Sequence, residues 1–186
     1  MSEMKLPNQV YRLRQADFGA IPGNPWVYWV RKKIQQIFSC YPALSEVAEP
    51  KQGLATADNM RFLRFWWEIG LNSIIFSCRN ESDAKQSTHK WFPGTKGGSF
   101  KKWYGNQEYV INWMNNGYEL KNFPASVIRN PVYYFHEGIT WSLISSKGPG
   151  FRIIPPGWII THKGPGIYFP ATTSISQSLA ILNSVA

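Results

Sequence analysis

The chain has 186 residues, of which 44% are hydrophobic and 17% are charged. This composition supports a hydrophobic core and excludes global disorder, and the length suits one domain with an extra packed element. Lysine and arginine number 20 against 11 acidic residues, and the resulting net charge of +9 favours a polyanionic partner.

The first 44 residues are predicted to form a linker and a packing helix. Residues 1–23 mix prolines, glycines and polar side chains, which is typical of a connecting segment. Asn24 suits a helix N-cap, and Pro25 suits the first helical position. Apolar residues then recur at helical spacing: Val27, Val30, Ile34, Ile37 and Phe38. We therefore expect a helix over about residues 24–39.

Residues 45–186 are predicted to form a single β-rich domain. Short apolar runs broken by Gly, Pro and Asn predict strands at 61–69, 73–77, 108–113, 133–135, 139–144, 151–154, 158–161 and 167–169. The run 61–69 also fits a helical period, so its assignment stays open. Turn residues at 115–117 and 155–157 favour antiparallel connections.

A C-terminal helix is predicted from residue 174 onward. Thr173 or Ser174 can cap it, and Ile175, Leu179 and Leu182 form its apolar stripe. Its lack of a glycine cap favours a chain cut from a longer protein. The expected fold class is therefore α+β, with a mainly antiparallel β body flanked by an N-terminal and a C-terminal helix.

The sequence offers little support for chemistry of its own. Neither cysteine belongs to a CxxC pair, and the histidines lack partners at metal-ligand spacing. Asn130-Pro131-Val132-Tyr133 resembles the amino-methyltransferase motif, but Val132 replaces the second proline, and no glycine-bearing cofactor strand precedes it. We expect no catalytic residue, no metal and no cofactor in this chain.

The expected location is the cytoplasm. No apolar run reaches the roughly 18 residues that a membrane span requires, and the N-terminus lacks the apolar stretch of a signal peptide. The absence of a disulfide framework agrees with a reducing compartment. We therefore expect no membrane partner.

Several segments carry a family resemblance when they are taken in order. They are the opening segment 17–23 with the helix after it, VAEPKQGLATADNMRFLR (47–64), KWFP (90–93), GG (97–98), KKWYG (101–105), NW (112–113) and YFHEGITWS (134–142). This succession resembles the target-recognition region that follows the catalytic domain in PglX-like, BREX-type adenine-specific DNA methyltransferases. The resemblance covers nearly the whole chain, although each motif is weak alone. One departure is Ala57, because the family often has glycine in its Thr-Gly-Asp-Asn motif.

The resemblance implies a sequence-specific DNA-recognition domain of an N6-adenine methyltransferase in a phage-defence or restriction-modification system. The parent enzyme would bind S-adenosylmethionine in a catalytic domain upstream. The implied partners are double-stranded DNA and a methyltransferase catalytic domain or subunit.

Eight residues are candidates for DNA binding. Polar groups that can read base edges are Gln52, Thr56, Asn59 and Arg61. Lysines that can set the register on phosphates are Lys90, Lys96, Lys101 and Lys102. The tryptophans within the motifs are expected mainly in the core: Trp91, Trp103, Trp113 and Trp141.

Two other functions remain open at this point. The chain could be the non-catalytic subunit of a split methyltransferase, which would copurify with the catalytic subunit. It could instead be an aromatic-rich carbohydrate-binding module. That reading predicts a near-neutral or acidic surface and often a secretion signal, and the sequence has neither.

Overall fold

The computed structural model describes residue 12 and residues 14–184, which divide into two compact units. The first unit ends at Val47, and the second begins at Ala48. In the first unit, a 3₁₀ turn at Gln15–Ala20 precedes helix α1 (Lys32–Cys40) and the single turn α2 (Leu44–Val47).

Helix α1 begins eight residues later than the sequence predicts, so Asn24 is not its N-cap. Gly23 and Asn24 have φ of 84° and 49°, and the Asn24 N–H donates to the Ile21 carbonyl at 3.0 Å. Two successive left-handed residues turn the chain instead of starting a helix, because right-handed helices need negative φ. The N-cap is Arg31.

The second unit is a mixed α+β structure. Its strands are β1 (Glu49–Lys51), β2 (Leu63–Phe65), β3 (Trp91–Gly94), β4 (Tyr109–Asn112), β5 (Gly138–Thr140), β6 (Arg152–Ile154) and β7 (Gly166–Tyr168). Its helices are α3 (Asn59–Phe62), α4 (Glu81–Gln86), α5 (Met114–Lys121) and α6 (Ile175–Asn183). Within α5, residues 115–117 form a left-handed turn, with φ of 51°, 55° and 73°. Short 3₁₀ turns occur at Trp66–Glu68, Leu71–Ser73 and Pro131–Tyr133.

The strands form two antiparallel sheets, which confirms the predicted α+β class. One sheet has the order β1-β7-β5-β6, and the other has the order β2-β4-β3. In the first sheet, Ile139 of β5 lies opposite Ile153 of β6 and Ile167 of β7. This register stacks apolar side chains across three strands, which is how neighbouring strands stabilise a sheet.

Several predicted strands are correct, and others are not. The segments 108–113, 139–144, 151–154 and 167–169 each overlap an observed strand. The segment 61–69 divides into α3, β2 and a 3₁₀ turn. The segment 133–135 is wrong: a 3₁₀ turn ends at Tyr133, and Phe135 has φ of 72°. The segments 73–77 and 158–161 form isolated bridges only.

Strands β1 and β3 were not among the predicted strands, and each contains a proline. Proline cannot donate a ladder hydrogen bond, so it argues against a central strand. The structure resolves this conflict because β3, with Pro93, lies at the edge of its sheet, and β1, with Pro50, lies at the edge of the other. On the outer side of β3, the Ile75 and Ile159 N–H groups donate to the Trp91 and Pro93 carbonyls through isolated bridges, so the missing N–H of Pro93 interrupts no strand ladder.

The capped helices of the second unit start at polar side chains. The Asn80 side chain accepts from the Asp83 N–H at 2.9 Å and caps α4. Ser174 accepts from the Gln177 N–H at 3.4 Å and caps α6, as predicted. These interactions satisfy amide groups that a helix start leaves without partners. No helix within the described residues is long and apolar enough to cross a membrane.

Aromatic side chains fill much of the core. Trp91 and Trp113 are buried, as expected, and the Trp113 Nε1–H donates to Asn116 Oδ1 at 3.2 Å. Trp141 is half-buried. Trp103 departs from the expectation, because half of its side chain is exposed (50%). The aromatic content therefore serves both the interior and the surface of this unit.

Candidate nucleic-acid interface

Two adjoining cavities form one groove on the second unit. They have volumes of about 190 and 550 Å³ and share Asn59, Leu63 and Lys96. Polar and charged side chains lining them are Thr56, Asn59, Arg64, Glu68, Lys96, Thr161, His162 and Lys163. We refer to this feature as the groove.

One wall of the groove is held in place by a close backbone approach at Gly53. A Cβ atom at this position would lie 1.9 Å from the Ile160 carbonyl oxygen, so only glycine fits. The approach lets the Leu54 N–H donate to the Ile160 carbonyl at 3.0 Å. The His162 N–H donates in turn to the Leu54 carbonyl at 2.7 Å. Residues 54–56 and 160–162 therefore lie side by side.

The start of α3 presents an amide and a hydroxyl group to the groove. Thr56 Oγ1 donates to Asn59 Oδ1 at 2.8 Å, and Thr56 is buried. Asp58 caps α3 by accepting from the Arg61 N–H at 3.0 Å. No hydrogen bond within the described residues uses the Asn59 Nδ2 group. The exposed Asn59 therefore offers amide donors that are suited to a base edge.

Ala57 lies between Thr56 and Asn59 and has a left-handed backbone conformation. Its φ is 59°, and its side chain is exposed at the rim of the groove. An L-residue with a Cβ is strained in this region, whereas glycine adopts it freely.

Lys96 lies where the two cavities meet. Its Nζ is 4.5 Å from the centroid of the Tyr109 ring, in cation–π range. Burial of the half-buried side chain lowers the pKa of Lys96 from its ordinary value. A phosphate in the groove would compensate this desolvation by adding an opposite charge.

A buried threonine pair brings Lys96 next to a second basic segment. Thr161 Oγ1 donates to the Thr95 carbonyl at 2.7 Å, and the Thr161 N–H donates to Thr95 Oγ1 at 3.1 Å. His162 and Lys163, which follow Thr161, therefore line the groove together with Lys96. His162 Nδ1 is buried and has no hydrogen-bond partner in the structure.

His162 and Lys163 did not emerge from the sequence as site residues. The histidine has no neighbouring ligand residue, so it was interpreted as an ordinary surface or hydrogen-bonded histidine. The available signal was weak: a basic dipeptide between an apolar run and the Gly164-Pro165-Gly166 turn. The pairing of Thr161 with Leu54 and with Thr95 brings the dipeptide to the groove.

Arg61 lies in a different environment from its predicted base-reading partners. Its Nε donates to Glu119 Oε1 at 2.8 Å, and its guanidinium lies 5.0 Å from the centroid of the Phe123 ring. This contact lowers the pKa of the Glu119 carboxyl, which also accepts from the Asn112 amide at 2.8 Å. Arg61 thus connects α3 to α5.

Three of the predicted lysines lie outside the groove lining. Lys102 Nζ donates to the Asn183 carbonyl at 2.7 Å, at the end of α6. Lys101 is exposed, and Lys90 Nζ lies 5.4 Å from the centroid of the Trp91 ring. Gln52 is half-buried, and its backbone carbonyl accepts from Asn130 Nδ2 at 2.9 Å. Of the eight candidates, the structure therefore brings Thr56, Asn59 and Lys96 together.

The groove is predominantly cationic. Residues 48–186 contain 14 lysines and arginines against 8 acidic residues, a net charge of +6. Glu68, the carboxylate among the lining residues, accepts from the Phe65 N–H at 2.7 Å. Arg64, Lys96 and Lys163 supply the positive charge. Such a surface attracts a polyanion by long-range electrostatics.

The groove does not fit S-adenosylmethionine or a metal ion. A cationic lining opposes the positively charged sulfonium, and the Glu68 carboxylate is already engaged with the backbone. Within the described part of the chain, no group of three His, Cys, Asp or Glu side chains could hold a metal ion.

The groove thus combines positive charge with amide and hydroxyl groups on an α+β scaffold. No protein-family model matches the chain. The chain is 37% identical over 186 residues to the adenine-specific methyltransferase PglX of Lacticaseibacillus casei, which covers 95% of this chain. It is also 37% identical over 173 residues to the adenine-specific methyltransferase BrxX of Escherichia coli, which covers 91% of this chain.

The chain is therefore homologous to adenine-specific methyltransferases over nearly all of its length. It spans about 15% of the first relative and 14% of the second. The similarity thus concerns one segment of much longer proteins.

Proposed function

We propose that the chain is the DNA-recognition region of an N6-adenine DNA methyltransferase of a phage-defence or restriction-modification system in the cytoplasm. The observation that carries this proposal is the cationic groove, which lies on a segment homologous to adenine-specific methyltransferases. An enzyme that methylates adenine in DNA must bind DNA. A segment that offers base-edge donors beside cations suits that part of the task.

The proposal assigns catalysis to the remainder of the enzyme. Asn130, in the motif closest to an amino-methyltransferase loop, instead donates its amide to the Gln52 carbonyl. Tyr133 of the same motif donates its hydroxyl to Glu49. These contacts brace the backbone near the groove. S-adenosylmethionine would then be bound by the part of the relatives that this chain does not match.

The roles of the candidate residues follow from their environments. We assign Thr56 and Asn59 to base edges, and Lys96 and Lys163 to phosphates at the groove. Gln52 flanks the base-reading segment, and the exposed Lys90 and Lys101 supply outer phosphate contacts. Arg61 and Lys102, which already have internal partners, position α3 and α6.

The test is a titration of a fluorescent mixed-sequence duplex with the whole chain, read by anisotropy at several salt concentrations. We expect the logarithm of the affinity to fall linearly with the logarithm of the salt concentration, by about 0.9 per phosphate contacted. A folded sample that does not bind at low salt would refute DNA recognition by this chain.

Matched variants separate the two kinds of contact. We expect Lys96→Gln to weaken all duplexes alike and to reduce the salt slope by about one contact. Lys85→Gln serves as the control, because Lys85 pairs with Glu81 and lines neither cavity. Asn59→Ala should reduce the preference among duplexes at one base pair by about 1–3 kcal/mol. Equal effects of Lys96→Gln and Lys85→Gln would contradict the assignment of the groove.

A further inference from the structure

The loop between β5 and β6 exposes apolar side chains on a basic part of the surface. This β5–β6 loop comprises residues 141–151 and contains Lys147 but no acidic residue. At its tip, the Ile144 side chain is 75% exposed and the neighbouring Leu143 is also exposed. Leu143 and Ile144 therefore form an adjacent pair of exposed apolar side chains on a loop whose one charged residue is Lys147.

A buried arginine holds both ends of this loop. Arg152 is 1% exposed, and its guanidinium donates to the Gly150 carbonyl at 2.9 Å and to Ser142 Oγ at 3.3 Å. It also donates to the Lys101 carbonyl at 3.3 Å. One planar group therefore ties the outgoing and returning strands of the loop to the neighbouring chain segment.

Further hydrogen bonds fix the loop next to the groove. The Leu143 N–H donates to the Lys163 carbonyl at 3.2 Å, and Lys163 lines the groove. On the returning side, the Asn183 side chain accepts from the Phe151 N–H at 3.1 Å and donates to the Phe151 carbonyl at 2.8 Å. The base of the loop is thus preorganised while its tip points into solvent.

We propose that Ile144 is a wedge that enters a groove of duplex DNA and partly unstacks one base step. Lys147 and Lys163 hold the flanking phosphates. This inference rests on the proposed function of the chain. Apolar wedges flanked by cations are a known means of bending DNA, and the energy of unstacking is offset by additional contacts. A preorganised loop loses little conformational entropy when it binds.

Charge and homology favour DNA over other occupants of this surface. The positive charge of the loop, without any carboxylate, complements a phosphate backbone. An apolar tip beside lysines would also suit an anionic membrane. The similarity to adenine-specific methyltransferases, over nearly the whole chain, favours the duplex.

The test compares Ile144→Ala with the control Ile181→Ala in the whole chain. Ile181 is 72% exposed on α6, so both substitutions remove the same apolar group from an open position. The probe is a duplex selected by the parent chain from a random pool, with 2-aminopurine placed at successive adenines. Affinity is read by anisotropy, and unstacking is read by the rise in 2-aminopurine fluorescence.

We expect the parent chain and Ile181→Ala to raise the fluorescence at one position. Ile144→Ala should bind about ten-fold more weakly and abolish this rise, with an unchanged melting temperature. A parent chain that binds DNA without any rise would overturn the wedge. So would an Ile144→Ala variant that keeps the parent affinity.

Two further outcomes distinguish the alternatives. If the parent chain binds no duplex at all, the proposed function fails together with the wedge. The remaining comparison uses vesicles that contain anionic phosphatidylserine. If Ile144→Ala loses binding to these vesicles but keeps its DNA affinity, the loop contacts lipid, and the wedge is refuted while DNA recognition stands.

Discussion

Replacement of Ala57 by glycine should stabilise the protein. Ala57 has φ of 59°, and its exposed side chain buries little surface. Relief of the left-handed strain gains about 1–2 kcal/mol. The greater flexibility of glycine in the unfolded chain costs about 0.5–1 kcal/mol. From the middle of each range, the net gain in the free energy of unfolding is about 0.75 kcal/mol.

Thermal and urea unfolding followed by circular dichroism measure this gain. For a chain of this size, the change corresponds to a rise of about 1–4 °C in the melting temperature. Ala180→Gly is the matched control, because Ala180 is exposed inside α6 and should lose about 1 kcal/mol of helix stability. If both substitutions destabilised the protein equally, the strain argument at Ala57 would be refuted.

Three further predictions concern the basic residues. The DNA affinity should fall as the pH rises toward 10.5, the ordinary pKa of lysine. Burial lowers the pKa of Lys96 in the free protein, and a bound phosphate raises that pKa again, so the free protein loses the positive charge first. Lys96→Arg should flatten this pH dependence, because arginine stays charged. If Lys96→Arg left the pH profile unchanged, Lys96 would not be the group that causes the pH dependence of the DNA affinity. Lys102→Met should lower the free energy of unfolding by about 1 kcal/mol, since the Asn183 carbonyl loses its donor, without changing the salt slope of DNA binding. A reduced slope would instead place Lys102 on a phosphate. Arg152→Lys should cost about 2 kcal/mol in urea unfolding, because one ammonium cannot replace the contacts of the guanidinium. An unchanged urea midpoint would argue against Arg152 as the anchor of the β5–β6 loop.

Local sequence patterns determined the α+β class and helix α6. The strands that were predicted correctly are short apolar runs next to turn residues. Strands β5 and β6 pair as neighbours in the chain, whereas β7 pairs with β5 and with the distant β1. The helix stripe of Ile175, Leu179 and Leu182 and its cap at Ser174 also depend on residues close in sequence. The net charge of +9 already favoured a polyanionic partner.

The tertiary structure decided where the strands that contain prolines could form. It also decided, within the described residues, which polar side chains have no internal partner and are available to contact DNA. Pro50 and Pro93 are tolerated because their strands lie at sheet edges, a position that no local pattern reveals. The Arg61 guanidinium is chemically suited to reading a base edge or to forming an internal ion pair. The fold selects the ion pair, because Glu119, which is 58 residues away in the sequence, accepts a hydrogen bond from it.

The groove itself arises from contacts between distant segments. Thr56 and Asn59 were predictable as polar residues in a recognisable motif, whereas His162 and Lys163 join them only because Leu54 pairs with Thr161. Sequence alone determined which chemical groups this protein has. Long-range backbone pairing decided which of them share one surface, because a binding site depends on distances in space rather than on separation along the chain.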